Sequence, residues 1–219
     1  MRFIVVKATF ILWVLGASVS MADQDAPAIL VLGDSLSAGY GLELSQAWPS
    51  LLEQRLSDNG HRYRVQNASI TGETTQGAVT RLPGLLQRHR PAVVIIELGG
   101  NDGLRGFPLE TTRANLAGLV ELATASGATV VLAEILLPPN YGAAYTERFQ
   151  ALYGEVAEQH QALLVPYFMR GVALVEGMMQ DDGVHPTAAG QPVLLDNVWA
   201  VLEPVLAANL DAGPPGDEG

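Results

Sequence analysis

A chain of 219 residues with 48% hydrophobic and 16% charged side chains has the composition of one globular domain and excludes a disordered polymer. Its formal charge of -11 argues against nucleic acid as a partner, because phosphate backbones are bound by a surplus of Lys and Arg. Cysteine is absent, which excludes disulfides, thiolate metal sites and a cysteine nucleophile.

The first residues read as an export address. Arg2 and Lys7 make a basic start, Ala8 to Ala17 is a mostly apolar run, and Ser20-Met21-Ala22 is a small-x-small cleavage site. Residues 1–22 are therefore expected to be a signal peptide, removed after Ala22 to leave 10 basic and 23 acidic residues, net -13. An uncleaved anchor is the alternative, but the run is shorter than the ~20 residues that cross a bilayer. No later segment is long and apolar enough to span, so no stable membrane span is expected in the mature chain. Lys7 is the only lysine, so removing the leader also excludes Schiff-base and Ser-Lys chemistry.

Beyond the leader, short strand-like runs alternate with helical ones. Ala28 to Leu32 is an apolar strand candidate stopped by Gly33, and Ala47 to Leu56 has helical spacing with Leu51, Leu52 and Leu56 on one side. Tyr63 to Asn67 is a second strand, Thr74 to Gln87 a helix broken around Pro83-Gly84, and Ala92 to Leu98 the clearest buried strand, ending in Gly99-Gly100. Leu109 to Ala125 has helical leucine spacing, with Gly127 as its C-terminal cap. Thr129 to Ile135 is a β-branched run ended by Pro138-Pro139. Tyr145 to His160 is helical, Ala162 to Pro166 a short strand, and Thr187 to Ala208 a last helical stretch interrupted by Pro192 and Pro204. The repeated β-α order predicts an α/β fold, a parallel sheet with helices on both faces, whose ligands bind beyond the carboxyl ends of the strands. One domain over residues 23–210 is expected, followed by a disordered acidic tail over 211–219.

Gly33-Asp34-Ser35-Leu36-Ser37 follows the first strand directly, which puts the Ser35 hydroxyl on a strand-to-helix turn where a nucleophile is well presented. A helix cap is the plain alternative for such a serine. The segment is not the Gly-x-Ser-x-Gly elbow, since position 37 is Ser. A serine needs a base and the base an orienting acid. Asp181-Asp182-Gly183-Val184-His185-Pro186 offers both in one loop, with Gly183 allowing Asp182 to turn back on His185 and Pro186 suited to the first turn of the next helix. Asp181 is the competitor for Asp182, but one residue further back its side chain should point elsewhere. Alone, Asp-x-x-His reads as a surface turn. A metal site on Asp181, Asp182 and His185 lacks further ligands at suitable spacing, so no metal is expected. His61, His89 and His160 are expected to be solvated.

Acyl transfer also needs donors for the developing oxyanion. Gly99-Gly100-Asn101-Asp102 closes the strongest strand and offers the Asn101 amide. Asn67 to Thr74 closes the second strand and offers the Gly72 N–H ahead of a helix. Either segment by itself reads as a turn; their placement after consecutive strands is the informative part.

Ser35 in Gly-Asp-Ser-Leu, Gly72, Asn101 in Gly-Gly-Asn-Asp and His185 in Asp-x-x-His-Pro resemble, in order, the four blocks of the SGNH (GDSL) hydrolases, over about residues 28–205. Stretches such as Leu36 to Tyr40, Ala47-Trp48-Pro49, Gly103 to Phe107, Pro139 to Gly142 and Met179 to Gly183 are similar to the periplasmic acyl-CoA thioesterase, lysophospholipase and arylesterase branch of Gram-negative bacteria. The resemblance implies a three-layer α/β/α sandwich of flavodoxin-like kind with a five-stranded parallel sheet, and a location in the periplasm or outside the cell. It implies hydrolysis of small acyl esters and thioesters by a monomer without a cofactor, through Ser35, His185 and Asp182 as catalytic triad. It also implies an oxyanion hole from the Ser35 N–H, the Gly72 N–H and the Asn101 side chain. The loop Leu136 to Tyr141 then flanks the acyl groove, making Leu137, Pro138, Asn140 and Tyr141 substrate-binding residues, with the doubled proline stiffening it. A carbohydrate O-acetyl esterase on the same fold and a non-catalytic lipid or glycan binder are the rival readings, the second disfavoured by the intact set of Ser35, Asp182 and His185.

Overall fold

The computed structural model describes residues 26–211; the expected signal peptide over 1–22 and all but Asp211 of the expected acidic tail lie outside them. Five parallel strands, β1 (Ala28–Gly33), β2 (Arg64–Asn67), β3 (Pro91–Glu97), β4 (Thr129–Ala133) and β5 (Leu163–Val165), form one sheet in the order β2-β1-β3-β4-β5. Successive residues of a strand point to opposite faces, and every residue of β1 is buried, so the sheet is covered on both sides. That is why β1, β3 and β4 read as largely apolar runs in the sequence, while the edge strand β2, only half-buried, does not.

The helices are α1 (Ser35–Ala38), α2 (Trp48–Asp58), α3 (Thr75–His89), α4 (Gly100–Leu104), α5 (Leu109–Ala125), α6 (Ala143–His160) and α7 (Gln191–Asp211). Helix α5 packs between α3 and α6, while α2 packs against α7. The apolar stripe of α3, Ala78, Leu82 and Leu86, has the three- and four-residue spacing of one helix face. The α2–α7 pair is joined at its start by the Trp48 N–H, which donates to the buried Gln191 Oε1 at 2.9 Å.

Proline placement is where the fold departs from the expectations. Helix α3 runs unbroken through Pro83, which sits with Gly84 on the exposed face, so the lost hydrogen bond falls on the solvent side while Leu82 and Leu86 hold the buried side. Helix α7 likewise continues through Pro204. It begins at Gln191 and not at Thr187, so Pro192 occupies its first turn, where its missing N–H costs nothing. Pro186 does not open that helix; it pairs with Met179 in an isolated antiparallel bridge. After Gly99 the chain does not simply end the strand but winds into the short helix α4.

From β1 the chain moves outward to β2 and then returns to the other side of β1 as β3. Strand order therefore reverses between β1 and β3, and the carboxyl ends of these strands flank the crevice where open α/β sheets bind ligands. Ser35 follows β1 and Asn101 follows β3.

Candidate active site

Ser35 is the first residue of α1. The buried β1 delivers it to the crevice, and Asp34 closes the turn by accepting the Leu36 N–H at 3.0 Å. As the first helical residue, Ser35 has no intrahelical acceptor for its N–H.

His185 comes from the connection between β5 and α7, folded as a tight hairpin. The Gln180 N–H donates to the His185 carbonyl at 2.7 Å and the Thr187 N–H to the Met178 carbonyl at 2.8 Å. Gly183 takes a φ of +68° at the tip. Asp182 Oδ1 accepts the N–H groups of Val184 and His185 at 2.9 and 3.0 Å, an Asx turn that holds the carboxylate against its own loop. Asp182 Oδ2 then lies 2.6 Å from His185 Nδ1, and His185 Nε2 lies 2.8 Å from Ser35 Oγ. Asp181 is exposed and takes no part in these bonds. The two N–H donors and the imidazole hold the Asp182 carboxyl down at about 2. It therefore stays ionised at neutral pH.

Two contacts that the sequence did not disclose fix the histidine. The Tyr40 ring lies over the imidazole with centroids 4.3 Å apart and planes tilted by 33°. Gln180 Nε2 donates to the carbonyls of Tyr40 and Pro186, each at 2.9 Å, tying the histidine hairpin to the chain just beyond the serine turn. Gly41 leaves room for this amide, because a Cβ there would meet Gln180 Oε1 at 2.5 Å.

The donor segments adjoin the same turn. The Ile70 N–H donates to the Gly33 carbonyl at 3.1 Å and Asn67 Nδ2 to the Ser37 carbonyl at 2.8 Å, so the loop carrying Gly72 runs beside β1 and α1. Gly72 has a φ of +78°, and its carbonyl accepts Arg105 at 3.2 Å from the end of α4. Asn101, in the first turn of α4, donates through Nδ2 to Asp34 Oδ2 at 3.0 Å. Asp34 thereby touches both the serine turn and the Asn101 amide.

Of the loop residues, Pro138, Asn140 and Tyr141 are exposed and Leu137 is buried. Tyr141 donates its hydroxyl to the Leu104 carbonyl at 3.1 Å and Tyr145 to the Gly103 carbonyl at 3.2 Å, so the loop is fastened onto α4. Gly103 makes this possible: a Cβ there would meet the Leu137 methyls at 2.7 and 2.8 Å and Phe149 Cε2 at 2.8 Å. Gly103→Ala is therefore expected to destabilise the fold by about 1–3 kcal/mol through overpacking. The check is urea unfolding; a midpoint at or above the parent value would show that Leu137 moves aside freely.

Behind the serine turn lies a buried polar chain. Trp48 Nε1 donates to Ser37 Oγ at 3.1 Å, and the Ser37 hydroxyl donates to Glu97 Oε2 at 2.7 Å. Glu97 is the single charged residue within its apolar strand segment, and its burial there is visible in the sequence as a carboxylate closing an apolar run. His61 and His160 are not simply solvated as expected. The His61 ring packs edge-on against Trp199 at 5.8 Å, and His160 Nδ1 lies 3.5 Å from Glu121 Oε1.

A hydroxyl, an imidazole and a carboxylate bonded in series beyond the strands of an α/β sheet make the arrangement of a serine hydrolase. The chain belongs to the GDSL-like lipase/acylhydrolase family, whose model matches residues 31–193. It is 54% identical over 181 residues to esterase TesA of Pseudomonas aeruginosa, covering 83% of this chain and 90% of that one. To thioesterase 1/protease 1/lysophospholipase L1 of Escherichia coli K12 it is 44% identical over 181 residues, 83% of this chain and 86% of that one. The crystal structure of the psychrotrophic esterase EstA from a Pseudoalteromonas species, inhibited by monoethylphosphonate, superposes with a TM-score of 0.79 at 40% identity, covering 82% of this chain and 98% of that chain. The protein is thus an acyl hydrolase, as its sequence blocks led us to expect.

Proposed function

We propose that the protein is an exported serine esterase and thioesterase, with residues 23–210 as its catalytic domain. The observation that carries the reading is the unbroken series from Asp182 through His185 to Ser35, with links of 2.6 and 2.8 Å. His185 Nε2 takes the Ser35 proton as Oγ attacks the acyl carbonyl. The tetrahedral oxyanion is received by the N–H groups of Ser35 and Gly72 and by Asn101 Nδ2. Collapse expels the alcohol or thiol, which leaves with the proton held on His185. Water, deprotonated by the same imidazole, then releases the acid from Ser35. Asp182, held ionised, offsets the charge of the imidazolium at each step, and the Tyr40 ring and Gln180 clamp keep the imidazole aligned.

The exposed residues Pro138, Asn140 and Tyr141 flank the acyl group, and Leu137 anchors their loop on Gly103. Esters and thioesters fit better than amides because their leaving groups are better. Arg2, Lys7, the run Ala8 to Ala17 and Ser20-Met21-Ala22 support export with cleavage after Ala22. Among the described residues no helix is long and apolar enough to cross a membrane.

One experiment addresses both parts. Protein recovered from the exported fraction is treated with a fluorophosphonate and analysed by intact mass and peptide mapping. A single adduct on Ser35, in a chain beginning at Asp23, is expected. An unlabelled protein, or an adduct on another residue, would remove the catalytic assignment; a chain retaining residues 1–22 would remove the export assignment alone.

A further inference from the structure

Asp34 is a buried carboxyl in direct contact with the oxyanion segment that takes no part in the acyl-transfer steps. Asp34 is only 3% exposed and is bonded on both oxygens, Oδ1 from the Leu36 N–H and Oδ2 from Asn101 Nδ2, each at 3.0 Å. The first bond is an ordinary helix cap. The second has a consequence for chemistry, because a primary amide donates from one end and accepts at the other, whereas a carboxylate only accepts. An ionised Asp34 can therefore be satisfied by one orientation of the Asn101 amide alone. One hydrogen of Nδ2 goes to Asp34, and the other remains for an oxyanion. A hydrogen-bond donor in place of that oxygen would favour the turned amide, which sets the Asn101 Oδ1 lone pairs against the developing negative charge.

We propose that Asp34 is a positioning residue for acyl transfer, whose carboxylate holds the Asn101 amide with its donor end toward the oxyanion. The proposal rests on the reading of Asn101 as an oxyanion donor. It makes the ionised form of Asp34 a second condition for activity, beside an unprotonated His185. Four ionisable groups face Asp34 from the elements around it: Glu97 from β3, Asp102 from α4, Tyr153 from α6 and His185 from the hairpin. Burial pushes the Asp34 carboxyl up to about 6, against the pull of the Leu36 N–H, the Asn101 amide and His185, with Asp102 adding to the push. Burial raises the Glu97 carboxyl well above the usual carboxylate range, and the charge of Asp34 adds to the push. Activity that depends on the ionised form of Asp34 is lost as pH falls through about 6.

Asp34→Asn keeps the size and the cap but places a donor before Asn101. It is expected to lower kcat about 100-fold, the scale of removing one oxyanion donor, with KM within about two-fold because ground-state binding does not use the contact. Introducing Asn101→Ala into Asp34→Asn is then expected to cost under about three-fold more, against its full effect in the parent. Additive losses would overturn the proposal, since Asp34 would then act independently of Asn101. Should Asp34→Asn fail to fold, the parent and Asn101→Ala carry the test through their pH profiles. Below about pH 6 the parent's log kcat is expected to fall with one proton more than that of Asn101→Ala, in which Asp34 no longer has an amide to orient. Equal slopes would also overturn it. An Asn101→Ala protein with undiminished kcat would instead refute the oxyanion reading itself.

Discussion

Ser35→Ala is expected to abolish hydrolysis of a short p-nitrophenyl ester, with kcat reduced on the order of a million-fold, as when a nucleophile is removed from a working triad. The loss is large because the other members act only through the serine: His185 has no proton to take, and Asp182 no imidazolium to steady. What remains is whatever the oxyanion donors and substrate binding supply over water. The fold should be untouched. The α1 cap is made by Asp34, and the one bond of Ser35 Oγ is to His185 at 2.8 Å. Thermal unfolding of the purified variant should therefore overlay that of the parent. Turnover above about one part in a thousand of the parent rate, in protein free of contaminating esterase, would move the nucleophile to another residue.

The second large effect is expected from Asn101→Ala, a fall in kcat of about 100- to 1,000-fold. An ester carbonyl is a weak acceptor in the ground state and becomes an alkoxide in the tetrahedral intermediate, so a fixed amide donor gains strength mainly as the reaction proceeds. The amide is already fixed here by Asp34 at 3.0 Å, and no reorganisation is needed when charge develops. KM should change little. Steady-state kinetics across an ester series would check the division; a rise in KM at constant kcat would make Asn101 a substrate-binding residue.

Much of this protein is readable along the chain because burial on both faces of a parallel sheet leaves a plain mark. The runs at Ala28 to Leu32 and Ala92 to Leu98 fall on β1 and β3, and the leucine spacing from Leu109 to Ala125 coincides with α5. The prolines misled for a physical reason. Local preference marks Pro83 and Pro204 as breaks, yet each helix continues through its proline, and in α3 the residues packed on either side of Pro83 outweigh one missing hydrogen bond. The ties around the histidine were hidden for a different reason. Gln180 acts on Tyr40, 140 positions earlier in the chain, and neither residue type marks itself as a clamp.

By itself the sequence determined the class of chemistry: a serine on the turn after the first strand, a carboxylate and a histidine three residues apart, and glycine-rich ends on the strands between. Those features are local, set by neighbours a few residues away. Only the tertiary structure decided that Ser35 and His185, 150 positions apart, meet at 2.8 Å, and that the motif aspartate beside the serine reaches across to Asn101. Such meetings follow from strand order, which brings the ends of β1 and β3 together at one crevice, and strand order is a property of the packed sheet and not of any segment within it.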